Sequence, residues 1–231
     1  MRDAASAPVR AVLFDLDGTL LDTAPDLAGA LNRLRARRGL PAIDYALIRP
    51  LASHGSFALT RLGFDLNESD PAFEPLRVAF LDIYREHLVI ATRPFAGIIE
   101  VLHALDGGAI PWGIVTNKPG WLTTPLLAQI DLGCSPGCVV TGDMVAARKP
   151  DPAPLLYAAK TLGVSARTCV YVGDAEGDIT AGVRAGMRTL VAEYGYLSAT
   201  DRPREWGADG YLDAPEALLP WLREQDNFAA R

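Results

Sequence analysis

No stretch of this chain approaches the ~18 consecutive apolar residues of a membrane span. The first eight residues, Met1 to Pro8, lack the apolar centre of a secretion signal, so a cytoplasmic protein is expected. Cysteine is scarce. Cys134, Cys138 and Cys169 are an odd number, which does not suit a disulfide framework. No Cys/His pair follows Cys134 and Cys138 at the spacing of a zinc site. The three histidines, His54, His87 and His103, are scattered. Positive charge is not in surplus either: the net charge of −6 gives no support for a nucleic-acid or membrane-surface partner. Neither an internal repeat nor a low-complexity segment is present.

What remains is an ordinary globular composition, 49% hydrophobic and 22% charged over 231 residues. That length allows one medium α/β domain, or a core with a smaller insert. Residues 9–14 form a short apolar run that reads as a buried strand. Further apolar runs at 110–116, 138–141, 168–172 and 189–192 read the same way. Helices are predicted between them at 96–105, 121–130, 152–162 and 174–185, with Pro152 suited to a first turn and Gly163 to a stop. Apolar strands alternating with helices predict a Rossmann-like, doubly wound parallel sheet. Residues 23–92 hold no convincing strand. Helices are expected there at 24–38, 53–62 and 70–87, broken by Gly39-Leu40-Pro41 and Asn67-Glu68-Ser69-Asp70-Pro71. The expected division is therefore a core of residues 1–22 and 93–231 and a helical insert of residues 23–92.

In such a sheet, ligands bind beyond the carboxyl ends of the strands. The first strand ends in Asp15-Leu16-Asp17-Gly18-Thr19-Leu20, two carboxylates two residues apart. Like charges held that close persist where a cation or a reaction needs them, and Gly18 lets the backbone turn sharply beside a ligand. The second strand leads into Thr116-Asn117-Lys118, the third toward Arg148-Lys149-Pro150-Asp151-Pro152, and the fourth into Gly173-Asp174 with Asp178 four residues on. Asp174 and Asp178 are expected one turn apart on one helical face, where like charges disfavour a helix unless something binds them. Oxygen donors without His or Cys suit Mg²⁺. A carboxylate at Asp15 can attack phosphorus, and Asp17 can protonate the leaving oxygen and then activate water. Lys149, Thr116 and Asn117 can hold the transferring phosphoryl group.

In type, order and strand context, Asp15-Leu16-Asp17-Gly18-Thr19, Thr116-Asn117, Lys149 and Gly173-Asp174 through Asp178 resemble the four motifs of the haloacid dehalogenase superfamily. The resemblance covers essentially the whole chain, and the helical insert resembles the family's cap. It implies Asp15 as nucleophile and Asp17 as acid/base. It implies Mg²⁺ held by Asp15, the Asp17 carbonyl and Asp174, with Asp178 acting directly or through water, and phosphate held by Thr116 and Lys149. Dehalogenase members lack the second aspartate, so its presence implies phosphoryl transfer. Within the superfamily, Asp15 to Thr23, Thr116 to Pro119 and Lys149 to Pro152 resemble the phosphoglycolate phosphatase branch. Residues 112–119, Tyr194-Gly195-Tyr196 and Trp206-Gly207-Ala208-Asp209 resemble bacterial N-acetylmuramic acid 6-phosphate phosphatases. The expected partner is a small phosphorylated metabolite.

Substrate choice is expected to lie in the cap, at Arg49, Ser53, His54 and Gly55, with Arg49 suited to a substrate carboxylate; the plainer alternative is a helix start with Ser53 as N-cap. A sugar-phosphate mutase would use the same aspartate pair. A calcium module fits less well, because Asp15-Leu16-Asp17-Gly18 lacks the third spaced ligand and the terminal Glu of a calcium loop.

Overall fold

Along β1 (Ala11–Phe14) the side chains alternate between two apolar clusters: Val12 and Phe14 face one, Ala11 and Leu13 the other. The same division holds on β6 (Cys169–Gly173), with Val170 and Val172 on the first face and Cys169 and Tyr171 on the second. Both faces of these strands are buried, which is why they read as unbroken apolar runs. The structure, a computed structural model, describes residues 8 to 225; the N-terminal segment up to Ala7, read above for a targeting signal, lies outside them.

Six strands make one parallel sheet in the order β5-β4-β1-β6-β7-β8, with β4 (Trp112–Val115), β5 (Cys138–Val140), β7 (Arg188–Ala192) and β8 (Gly210–Leu212). On one face pack α5 (Ile98–Gly107), α6 (Gly120–Leu127) and α9 (Leu218–Glu224); on the other pack α7 (Ala153–Thr161) and α8 (Glu176–Ala185). The chain leaves β1 toward β4 on one side and later returns beside β1 as β6. The crevice at this reversal is where a doubly wound sheet offers a ligand site.

Between β2 (Leu21–Asp22) and β3 (Arg93–Pro94), which pair antiparallel, the described elements are all helical. They are α1 (Ala24–Arg37), α2 (Tyr45–Ile48), a 3₁₀ segment (Arg49–His54), α3 (Gly55–Phe64) and α4 (Phe73–Arg85). Helix α1 has a proline and Asp26 in its first turn and Arg35 and Arg37 in its last, which suits the helix dipole. Leu27, Leu31 and Leu34 make its buried stripe. Asp26 is also buried, and its carboxylate accepts hydrogen bonds from the Ala91 and Thr92 amides and the Thr92 hydroxyl. The strand leaving the insert is thereby fastened to the helix that enters it.

Three local expectations change. The helix predicted from residue 53 begins at Gly55, because Pro50 and the 3₁₀ segment occupy the preceding turn. Ser53 accordingly caps nothing, and its hydroxyl is turned to the core. The helix predicted from residue 174 begins at Glu176, since Ala175 is still extended (φ −116°, ψ 152°), so Asp174 stands in the loop before α8 rather than one turn from Asp178 on a helix. Finally, β8 joins the sheet although its three residues carry no long apolar run. Among the described residues no helix is long and apolar enough to cross a membrane.

Candidate active site

The sheet's hydrogen-bond ladder extends past the strands and fixes the first site residues. Asp15 N–H donates to Val172 O at 2.9 Å and Thr116 N–H to Val140 O at 2.9 Å. Asp15 and Thr116 are therefore held by backbone at the carboxyl end of the sheet, where Asp174 directly follows β6. Gly18 turns the chain at φ +85°, and a Cβ there would collide with the Asp174 carboxylate and lie 2.8 Å from Ser53 Oγ. Only glycine lets the loop after β1 close onto the loop after β6.

Lys149 forms the centre of the buried network. Its ammonium donates to Asp15 Oδ1 at 2.6 Å, Asp178 Oδ1 at 2.7 Å and the Tyr171 hydroxyl at 2.7 Å, which uses all three of its protons. The Tyr171 hydroxyl in turn donates to Val115 O at 2.9 Å. The Asn117 side chain bonds both the N–H and the C=O of Lys149 at 3.0 Å, so the amide clamps the lysine backbone. Thr116 is buried, and its Oγ1 accepts from Lys118 N–H.

Asp15, Asp174 and Asp178 are buried, and ligand atoms from all three lie within 4.8 Å of one another. Burial pushes the Asp15 carboxyl up to about 8; Asp178 and Asp174 add to the rise and Lys149 opposes it. Burial, then Asp178, raises Asp174 to about 7 against the hydrogen bonds from Ser53 and Tyr196 N–H. Burial disfavours the Lys149 ammonium, but Asp15 and Asp178 outweigh it and raise its pKa. With all four carboxyls ionised, Asp15, Asp17, Asp174 and Asp178 would exceed the two ammoniums, Lys118 and Lys149, by two negative charges, and burial together with that repulsion is what raises Asp15 and Asp174. An all-oxygen donor set with that excess fits a hard divalent cation.

Of the residues singled out from sequence, Asp15, Asp174, Asp178 and Lys149 meet directly. Asp17 lies beside them, bonded by Thr23 Oγ1 at 2.6 Å and by Lys118 Nζ at 3.0 Å. The insert reaches the same place: Ser53 Oγ donates to Asp174 Oδ2 at 2.6 Å and to the Asp17 carbonyl at 3.4 Å. Arg49 lies over the Tyr196 ring at 5.0 Å and donates to Tyr194 O at 3.3 Å. His54 is exposed, and Gly55 turns the backbone at φ +72° between the 3₁₀ segment and α3. Lys118, Tyr84, Tyr171 and Tyr196 join the site without a role expected from the sequence. Lys118 had a signal, since it directly follows Thr116-Asn117 at a strand end, and Tyr196 had one only as part of the Tyr194-Gly195-Tyr196 resemblance; Tyr84 and Tyr171 had none, because a buried tyrosine reads as core.

The sequence pattern of the haloacid dehalogenase-like hydrolases matches residues 12–192. The chain is 41% identical over 214 residues to an N-acetylmuramic acid 6-phosphate phosphatase of Pseudomonas aeruginosa, covering 93% of this chain and 95% of that one. It is 44% identical over 211 residues to a phosphoglycolate phosphatase of Xanthomonas campestris, covering 90% and 94%. Its fold superposes on the crystal structure of a predicted phosphoglycolate phosphatase from Haemophilus somnus with a TM-score of 0.81 at 26% identity, covering 92% and 97%. With the aspartate pair, the lysine and the acidic cluster assembled at the carboxyl end of the sheet, the chain belongs to the haloacid dehalogenase-like hydrolases, as one of the family's phosphatases.

Proposed function

We propose that the chain is a Mg²⁺-dependent phosphomonoesterase that works through a phospho-aspartate on Asp15, with 2-phosphoglycolate or N-acetylmuramic acid 6-phosphate as substrate. The observation that carries this reading is the meeting of Asp15, Lys149, Asp174 and Asp178 within hydrogen-bond or metal-ligand reach, with Asp17 alongside. In the first step an Asp15 oxygen forms a bond to phosphorus while the bond to the leaving oxygen breaks, and Asp17 gives that oxygen its proton. In the second, Asp17 takes a proton from water, which attacks phosphorus and frees Asp15. Lys149 keeps Asp15 aimed and offers positive charge to the phosphoryl oxygens. Asp15, the Asp17 carbonyl and Asp174, with Asp178 behind them, would hold the metal. When bound, the cation supplies Lewis-acid stabilisation of the phosphoryl charge.

In this reading residues 1–22 and 93–231 are the catalytic core and residues 23–92 the cap, whose Arg49, Ser53, His54 and Gly55 bear on substrate choice. Thr116 holds phosphate, and Asn117 serves it by fixing Lys149. Three free thiols suit the cytoplasm. The test is phosphate release over a panel of phosphorylated metabolites containing both named substrates, with and without Mg²⁺ and with Asp15→Asn as the blank. Turnover of one panel member that needs both Mg²⁺ and Asp15 is expected. Undiminished turnover by a folded Asp15→Asn protein would remove Asp15 as nucleophile.

A further inference from the structure

Lys118 is the second buried cation of the site, and the reaction as proposed gives it no task. Its side chain is only 6% exposed. Its ammonium donates to Asp17 Oδ1 at 3.0 Å, to Asp17 Oδ2 at 3.3 Å and to the Tyr84 hydroxyl at 3.0 Å, and it lies 4.6 Å from the centre of the Tyr84 ring. Tyr84 belongs to α4, in the helical insert, and is fully buried. One residue further on, Arg85 lies over the Trp121 ring at 6.0 Å, a second attachment of α4 to the segment that carries Lys118. Asp17 is thus held from two sides. Thr23, at the entry to the insert, bonds one oxygen, and Lys118 spans both.

We propose that Lys118 is a positioning residue for Asp17, and that Tyr84 makes this positioning depend on the docked insert. The inference rests on Asp17 being the acid/base. When the bond from phosphorus to the leaving oxygen breaks, the proton moves from the Asp17 carboxyl to that oxygen and a carboxylate remains. Lys118 stands where that charge appears and keeps the carboxyl in one orientation. An alkoxide leaving group needs the proton; p-nitrophenolate is a stable anion and leaves without it. Support of Asp17 therefore has a leaving-group signature, which phosphate binding or a fold role lacks.

The measurement is kcat/KM, which reports events through cleavage of the leaving group and excludes the later hydrolysis of phospho-aspartate. Asp17→Asn, Lys118→Met, Lys118→Arg and Tyr84→Phe are compared on p-nitrophenyl phosphate and on whichever of 2-phosphoglycolate and N-acetylmuramic acid 6-phosphate is turned over. Lys118→Met is expected to lower kcat/KM on the alkyl phosphate by about 10²-fold, within the range of acid–base assistance, and on the aryl phosphate by less than about 5-fold. Lys118→Arg should recover part of the loss. Tyr84→Phe should show the same selectivity at about 10-fold, the low end for one hydrogen bond to a charged group. Because it removes a single oxygen, it decides the matter if Lys118→Met does not fold. Equal losses on both substrates, with Asp17→Asn selective, overturn the role of Lys118 alone. If Asp17→Asn is itself unselective, the acid/base assignment falls, and the inference with it.

Discussion

Two regions converge on the same carboxylates with bonds of different kind. From the core, Lys149 places a full positive charge between Asp15 and Asp178 and has no proton left over. From the insert come neutral hydroxyls: Ser53 on Asp174, and Tyr84 acting through Lys118. Removing one partner of a buried ion pair costs about 3–5 kcal/mol, whereas a hydrogen bond between a neutral hydroxyl and a charged group contributes about 1.5–3 kcal/mol. The core half of the site is thus built to stay assembled. The polar contacts of the insert with it are each weak enough to be exchanged for contacts with a ligand.

The largest effect expected from breaking this asymmetry is at Lys149. Lys149→Met leaves Asp15 and Asp178 buried without their cation and deprives the phosphoryl group of its nearest positive charge. Phosphate release should fall by about 10²–10³-fold, as when one preorganised electrostatic partner is removed. Urea unfolding in metal-free buffer should show a loss of about 3 kcal/mol, larger at pH 8 than at pH 5.5, because a proton on Asp15 stands in for the missing cation in acid. A variant of unchanged stability at both pH values would show that the core network is as dispensable as the contacts of the insert.

The same contrast governs what was legible in the sequence. Asp15, Asp17 and Asp174 were readable because a charged side chain just past an apolar strand needs an explanation, and Lys149 and Asp178 because they follow such ends within one connection; a parallel sheet brings strand ends together. The expected helix from residue 174 was the wrong local geometry with the right outcome. The loop at Ala175 delivers Asp174 to the cluster, and Asp178 accepts the Ala175 N–H at 3.1 Å at the start of α8. Ser53 was found by its place in the insert, but its partner was not, since a serine in a helical segment carries no mark of a bond to a residue 121 positions away. Tyr84 and Tyr171 were silent for the same reason: each belongs to an apolar pattern that is correct as far as it goes. The strands β2, β3 and β8 are two or three residues long, too short for any periodicity.

The acidic cluster should also couple stability to pH and metal. In the folded chain Asp15 is raised to about 8 and Asp174 to about 7, both from 3.8. Between the unfolded and folded values the native state binds more protons than the unfolded chain. Stability contributed by these groups is therefore present at low pH and is lost as pH rises through the folded values, the reverse of an ordinary salt-bridged carboxylate. A divalent cation bound at the cluster would replace the protons. In metal-free buffer, Tm should fall between about pH 5.5 and pH 8, and Mg²⁺ should raise it by several degrees at the upper pH and by less at the lower. Asp174→Asn should flatten the profile and blunt the response to Mg²⁺. Thermal scans giving an equal Mg²⁺ increment at both pH values would disconnect the cluster from the metal.

The smallest effect belongs to the insert. Arg49 holds its position through one N–H to Tyr194 O at 3.3 Å, by lying over the Tyr196 ring, and beside the Tyr45 hydroxyl. A guanidinium carries five donors, so this leaves it able to pair with a second acceptor such as the carboxylate common to 2-phosphoglycolate and N-acetylmuramic acid 6-phosphate. Arg49→Ala should raise KM for the true substrate by about 10-fold, the low end for one charge-assisted hydrogen bond, with p-nitrophenyl phosphate unaffected. If Arg49 serves only to fasten the insert to Tyr194 and Tyr196, the two substrates should suffer alike, and in kcat as much as in KM. The ratio of the two effects separates a residue that reads the substrate from one that only holds the insert in place.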